Sequence, residues 1–292
     1  MNKIDIIYNN FNYSFIIDKY KVFYGNNFRD KFNIIKCFKQ YFYKNQYSDY
    51  SNEYSNRTNI KIDEKSADVK NTFFYELSYN YDLTSDSKLS TKSLILKYLE
   101  LYLENIEFND EFNTIKVLLD DFVSLNLKDL IDIQISENIN MELKLSDINS
   151  KTIIKLIEPI VLKDSLEINN YDLTYEDIYI VQLKILERIA HKLNKELILI
   201  ADIPLLTKNI VKCIDTLNNI NLIIFTNNYN DSINIEKYVL VDFNMLDLEN
   251  EESINDFIMN LPWHSTIEQF KSKIKESLNK FNFEQLFLNK VI

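Results

Sequence analysis

The sequence predicts an α/β protein whose head is a parallel-rich mixed sheet flanked by helices, interrupted by an α-helical insertion. Three observations carry this expectation. An apolar segment at 20–24 runs through the chain's one glycine, Gly25, into a helical pattern. A second apolar segment, 197–202, ends in Asp202 and is followed by a helical pattern over 208–217 and a third apolar segment at 221–226, which together make a β-α-β unit. Between these parts the period changes to helical and the composition becomes acidic, from about 91 to 130.

The first 25 residues read as strands at 4–8, 13–17 and 20–24, with Asn9-Asn10 as a turn. A helix is expected over 28–43, with Phe28, Phe32, Ile35, Phe38 and Phe42 on its apolar face and Lys36, Gln40 and Lys44 on another. Residues 45–70 are rich in Asn, Ser, Tyr and charge without a clear period and read as an exposed loop, after which 72–77 returns to the sheet. In the insertion, Leu94, Tyr98 and Leu101, then Ile115, Leu118, Leu119 and Phe122, supply the apolar positions. Thr174-Tyr175-Glu176-Asp177 has the form of a helix cap ahead of Ile178, Val181, Ile185 and Ile189. Residues 238–243 add a further strand, and the end of the chain is helical, with Phe270, Ile274, Leu278 and Phe281 on one face beside Lys271 and Lys275. The expected division is a head of 1–88 and 166–250, a helical lid or leg of 89–165, and C-terminal helices of 251–292 packing on the head.

The run Gly25-Asn26-Asn27-Phe28-Arg29-Asp30-Lys31-Phe32 has the spacing of a phosphate-binding P-loop, but keeps only the first glycine and the lysine. Asp30 replaces the second glycine and Phe32 the hydroxyl residue that binds Mg²⁺. Asp202, closing an apolar strand, stands where a Walker B aspartate would, yet Ile203 follows it in place of a catalytic glutamate. The segment 225–227, Phe-Thr-Asn, lacks the histidine of the ABC class, and no glycine remains for that class's signature loop. Phosphoryl transfer rests on backbone N–H groups, a lysine, a metal-holding hydroxyl and aspartate, and a positioned water. Gly25, Lys31 and Asp202 therefore read as a vestigial nucleotide site, with no catalytic residue and no ATP requirement expected. Glycine scarcity by itself means little in a chain also poor in Pro, Ala and Arg, a bias that AT-rich codon usage produces. What is informative is where the last glycine stands, because a strand-to-helix turn often needs its conformational freedom.

Cys37 and Cys213 lack partners at metal-ligand spacing and read as reduced packing residues. His191 and His264 are isolated, with no triad pattern. No basic region precedes a long apolar core at the N-terminus, and no apolar run reaches membrane-spanning length, so a cytoplasmic protein without a membrane partner is expected.

The net charge of −11 argues against nucleic acid until its distribution is read. Residues 1–47 carry eight basic side chains against three acidic ones, whereas 100–150 carry twelve acidic against three lysines. A basic surface on an acidic protein is thus expected, with Arg29, Lys31, Lys36, Lys39 and Lys44 as the first DNA-binding candidates and Lys271 and Lys275 as the second.

Taken together, the initial β-hairpin, the degenerate 25–32 turn, the acidic helical insertion, the 197–202 strand, the 208–217 helix and the 221–225 strand resemble the Csn-two family of type II-A CRISPR systems. The resemblance spans most of the chain, including the turn at Pro204 and Thr207-Lys208. It implies a degenerate, P-loop, ABC-ATPase-like head with a helical leg, and a homotetrameric ring that encircles linear double-stranded DNA and slides on from free ends. It also implies a role in spacer acquisition and antiviral defence without ATPase activity, beside the CRISPR integrase proteins and the effector nuclease. Ca²⁺ is associated with the family's ring, but its ligands have no counterpart motif here; the pair Asp120-Asp121 reads as a solvated helix face. Two other readings stay open: a working NTPase of the DNA-repair ABC type, and a protein-interaction module with a vestigial nucleotide site.

Overall fold

The computed structural model describes residues 2–8, 11–43, 58–104, 108–126, 133–136, 139–141, 148–193, 195–242, 245–261 and 265–279. The chain begins with an antiparallel hairpin, β1 (Asn2–Tyr8) and β2 (Phe11–Ile17), then β3 (Tyr20–Tyr24) and helix α1 (Phe28–Phe42). Strands β4 (Thr58–Ile62) and β5 (Lys65–Ser66) follow, then β6 (Thr72–Leu77). The strands at 58–66 correct the expectation of a loop. Thr58, Ile60 and Ile62 alternate with Asn59 and Lys61, and Asp63 and Glu64 make a two-residue turn with φ of 47° and 68°. Hairpins of this kind usually signal themselves with Asn-Gly; in a chain with one glycine, acidic residues take the left-handed positions instead.

Two compact units are present, one of Met1–Tyr81 with Leu173–Ile292 and one of Asp82–Asp172. The second unit contains α2 (Leu83–Asp86), α3 (Leu94–Leu103), α4 (Asn109–Asn126), a hairpin of β7 (Ile133–Ser136) and β8 (Ile139–Met141), α5 (Ser150–Ile154), and a small hairpin of β9 (Leu162–Lys163) and β10 (Leu166–Glu167). The buried Asp86 carboxylate caps α3, accepting hydrogen bonds from the backbone N–H of Leu94 and Ile95 at 2.9 and 3.0 Å, which places negative charge at the positive end of the helix. Ile115, Leu118 and Leu119 of α4 are solvent-exposed, Leu118 at 64%.

The first unit resumes with α6 (Tyr175–Lys192), whose capping box pairs Thr174 with Asp177 as the sequence signalled. Then come β11 (Glu196–Asp202), α7 (Lys208–Thr216), β12 (Asn221–Thr226), β13 (Tyr238–Leu240), β14 (Leu246–Asp247), α8 (Glu251–Met259) and α9 (Ile267–Asn279). The main sheet has the order β14-β13-β3-β12-β11-β6, parallel from β13 through β6 and closed at one edge by antiparallel β14. A separate antiparallel sheet has the order β2-β1-β4-β5. Within β11 the apolar run 197–201 is buried without alternation, as expected of a parallel strand covered on both faces.

One apolar core joins Ile34, Cys37, Phe38, Tyr41 and Phe42 of α1 to Ile4, Ile6 and Phe15 of the smaller sheet and to Phe23, Ile198, Ile200, Ile223 and Phe225 of the larger. This corrects the helical face read from sequence. Lys31, Ile34, Cys37, Phe38, Tyr41 and Phe42 point inward, while Phe28 and Phe32 are 66% and 64% exposed. The inward arc is set by Ile34, Cys37, Phe38, Tyr41 and Phe42, and Lys31 shares it; at about 100° per residue, Phe28 and Phe32 fall outside that arc on the solvent side.

No helix among the described residues is long and apolar enough to cross a membrane.

Candidate functional site

Strand β3 ends at Tyr24, and the chain then turns through Gly25 with φ of +134°, a conformation closed to L side chains. Space forbids a side chain as well: a Cβ at Gly25 would lie 2.5 Å from Asp242 Oδ2 and 2.8 Å from Val241 Cγ2. The backbone N–H of the next residue, Asn26, donates to both Asp242 oxygens at 2.8 and 2.9 Å. At this turn a P-loop offers backbone N–H groups to a phosphate. Here the oxyanion on the turn is the chain's own carboxylate, supplied from just beyond β13.

Asp30 does not face the interior of the turn. Its backbone N–H donates to Asn27 Oδ1 at 3.2 Å, while its carboxylate accepts from Asn27 Nδ2 at 2.7 Å and from the Tyr13 hydroxyl at 3.1 Å. Asn27 is thereby the N-cap of α1. Burial, reinforced by the neighbouring Asp30, pushes the Tyr13 hydroxyl up to about 12, so it remains a donor.

Lys31 is 6% exposed. Its ammonium donates to the Thr226 carbonyl at 2.6 Å and to Asn227 Oδ1, at the carboxyl end of β12. Desolvation pulls its pKa down to about 8, against the opposing pull of Asp202 and Asp242. The Asp202 carboxyl is raised, first by desolvation and then by Glu76, with Lys31 counteracting. Gly25, Lys31 and Asp202 thus gather at the carboxyl ends of parallel strands, where open α/β sheets bind ligands. Sequence reasoning missed Asp242. Its signal was present: Tyr238-Val239-Leu240-Val241-Asp242 has the same form as 197–202, an apolar strand closed by an aspartate.

The DNA-binding candidates divide. Arg29, Lys36 and Lys39 lie on the outer side of α1, interleaved with Phe28 and Phe32. Arg29 is exposed, Lys36 Nζ sits 5.9 Å above the Tyr8 ring, and Lys39 pairs with Glu76 at 2.7 Å. Lys31 leaves this group, because its ammonium is buried and committed to Thr226 and Asn227. Lys44 lies outside the described residues. Lys271 and Lys275 are on α9, where Lys271 pairs with Glu236 at 2.8 Å and Lys275 is exposed. Both cysteines are buried and free, as packing residues would be.

Among the described residues no group of three or more His, Cys, Asp or Glu side chains is placed to hold a metal ion. The calcium implied by the resemblance therefore has no fitting donor set among those residues, and no step here is assigned to it.

The fold and turn define a P-loop-like α/β head with a helical insertion. No family model matches the sequence, and no curated protein matches it. Among solved structures the chain is similar to Stu0660 of Streptococcus thermophilus, with a TM-score of 0.63 and 11% identity, over 94% of this chain and 84% of that one. At that identity the likeness establishes a shared fold.

Proposed function

We propose that the chain is a non-catalytic double-stranded DNA-binding protein, working as a ring of four copies that loads onto linear DNA from its ends during CRISPR spacer acquisition. The observation that carries this reading is the filled turn: the Asp242 carboxylate accepts from Asn26 N–H where a nucleotide phosphate would. A phosphate taking the Asn26 N–H would have to displace the Asp242 carboxylate, and like charges repel. Support also comes from the fold shared with Stu0660 over nearly the whole chain, and the resemblance to the Csn-two family described in the sequence analysis points the same way.

In this reading the outer side of α1 supplies phosphate contacts through Arg29, Lys36 and Lys39. Such contacts position a duplex without reading its sequence, and the integrase proteins and effector nuclease would act on the DNA so held. Lys39 must exchange Glu76 for a phosphate, a modest cost because the pair is half-exposed.

The test compares linear duplexes with closed circles of the same sequence. Tighter binding to linear DNA, weakening steeply with salt and further weakened by Lys36→Glu with Lys39→Glu, is the expected result. Equal affinity for circles removes the end-loading part. ATP turnover above background that is lost in Lys31→Ala establishes the NTPase reading instead.

A further inference from the structure

Beside the filled turn lies a cavity of about 300 Å³, lined by Tyr24, Lys208, Asn227, Tyr229, Asp231 and Leu278, with Asn230 completing the wall. It sits at the carboxyl ends of β3 and β12, and it differs from the turn in how its polar groups are spent. The Tyr229 hydroxyl is buried without a hydrogen-bond partner. Burial, then Asp231 and Tyr24, raise its pKa, so it stays a donor at neutral pH. Asn227 gives its side-chain oxygen to Lys31, which leaves its amide N–H₂ without a partner among the described residues. Lys208 and Asp231, both exposed, complete the polar lining. Tyr24 and Tyr229 stand edge to face, ring centroids 6.2 Å apart and planes at 77°, and both pack on Tyr238, Tyr229 at 5.2 Å and Tyr24 at 6.2 Å.

We propose that this cavity takes one unpaired nucleobase at a DNA end. The inference rests on the DNA-binding reading above and names a second contact within it. Aromatic walls suit a planar ring, and Asn227, Lys208 and Asp231 on the lining bring donors and an acceptor, both of which a base edge also carries. The volume stands at the lower limit of small-ligand pockets and admits a single ring system, not a duplex. Tyr24 ends β3 and Arg29 stands in the first turn of α1, on either side of the Gly25 turn in the chain.

The experiment measures anisotropy of a labelled duplex, blunt or with a two-nucleotide overhang, on the full chain. The overhang is expected to bind about tenfold tighter, within what one base stacked on an aromatic ring contributes. In Tyr229→Ala the ratio of the two affinities should fall to about one, and Tyr229→Phe, which keeps the ring, should retain most of it. DNA binding without any gain from the overhang overturns the cavity inference and leaves the DNA reading standing. If no DNA binds but 2′-deoxyadenosine quenches tyrosine fluorescence in wild type and not in Tyr229→Ala, the base site stands and the DNA reading fails.

Discussion

The two ends of β3 each bury a lysine, and they hold it in opposite ways. At the amino end Lys21 is completely buried, and its ammonium meets Asp247 Oδ1 at 2.5 Å, Glu249 Oε2 at 2.8 Å and the Glu236 carbonyl at 2.9 Å. The other Asp247 oxygen accepts from the backbone N–H of Ile16 at 2.8 Å, tying β14 to β2. At the carboxyl end Lys31 makes hydrogen bonds to a carbonyl and an amide oxygen, with no direct ion pair among the described residues, and desolvation depresses its pKa. The first lysine closes a structural ion cluster. The second is a desolvated cation at the start of α1, beside a turn whose Asn26 N–H is already taken by Asp242.

The largest expected effect breaks the first end. Lys21→Ala leaves Asp247, 1% exposed, without its cation, and removing one partner of a buried pair costs about 3–5 kcal/mol. Urea unfolding checks this; a loss below about 1 kcal/mol would show that the cluster contributes little net stability. Next comes Gly25→Ala, expected to cost about 2–4 kcal/mol, since strained φ and steric overlap with Asp242 and Val241 act together. Adding Asp242→Ala should recover part of that loss, so a double-mutant cycle should give a coupling above about 0.5 kcal/mol.

Asp242→Ala alone is expected to cost about 1–3 kcal/mol, because the Asn26 N–H loses its acceptor. It should also open the turn to an external anion. Added sulfate then raises the melting temperature of the variant and not of the wild type, by the ordinary linkage of binding to folding. No difference between the two would mean that the turn has lost its anion geometry as well as its vacancy.

How much of this was legible in the sequence depends on the range of the contact. The strand, turn and helix at 20–42 were visible because a local apolar period and one glycine specify them. The β11–α7–β12 unit was visible for the same reason, and its parallel pairing to β3 followed from the fold class. Asp242 was not, because it meets Asn26 across 216 residues, and no local pattern encodes such a pairing. The buried face of α1 was misread since Phe28 and Phe32 look like core residues. The clue was the arc of Ile34, Cys37, Phe38 and Tyr41, which excludes both phenylalanines and takes in Lys31 instead. Tyr229 and Lys208 passed unnoticed because only the fold brings the ends of β3 and β12 beside the start of α7.

The smallest expected effect separates the two lysines by pH. Unfolded Lys31 titrates near 10.5, and the folded group near 8, so the folded state gives up its proton first. Between those values the unfolded chain binds more protons, and stability rises with pH by at most about 1.4 kcal/mol per unit from this group. The penalty of burying the charged ammonium is complete below pH 8 and fades above it. Buried thiols and tyrosines titrate over the same range and act in the opposite direction, because Cys37 is raised to about 12 by burial. The measurement is therefore the stability of wild type minus that of Lys31→Met, followed from pH 7.5 to 10. It should shift toward the wild type as pH rises. A flat difference would show that Lys31 keeps its proton through this range and that burial does not depress its pKa.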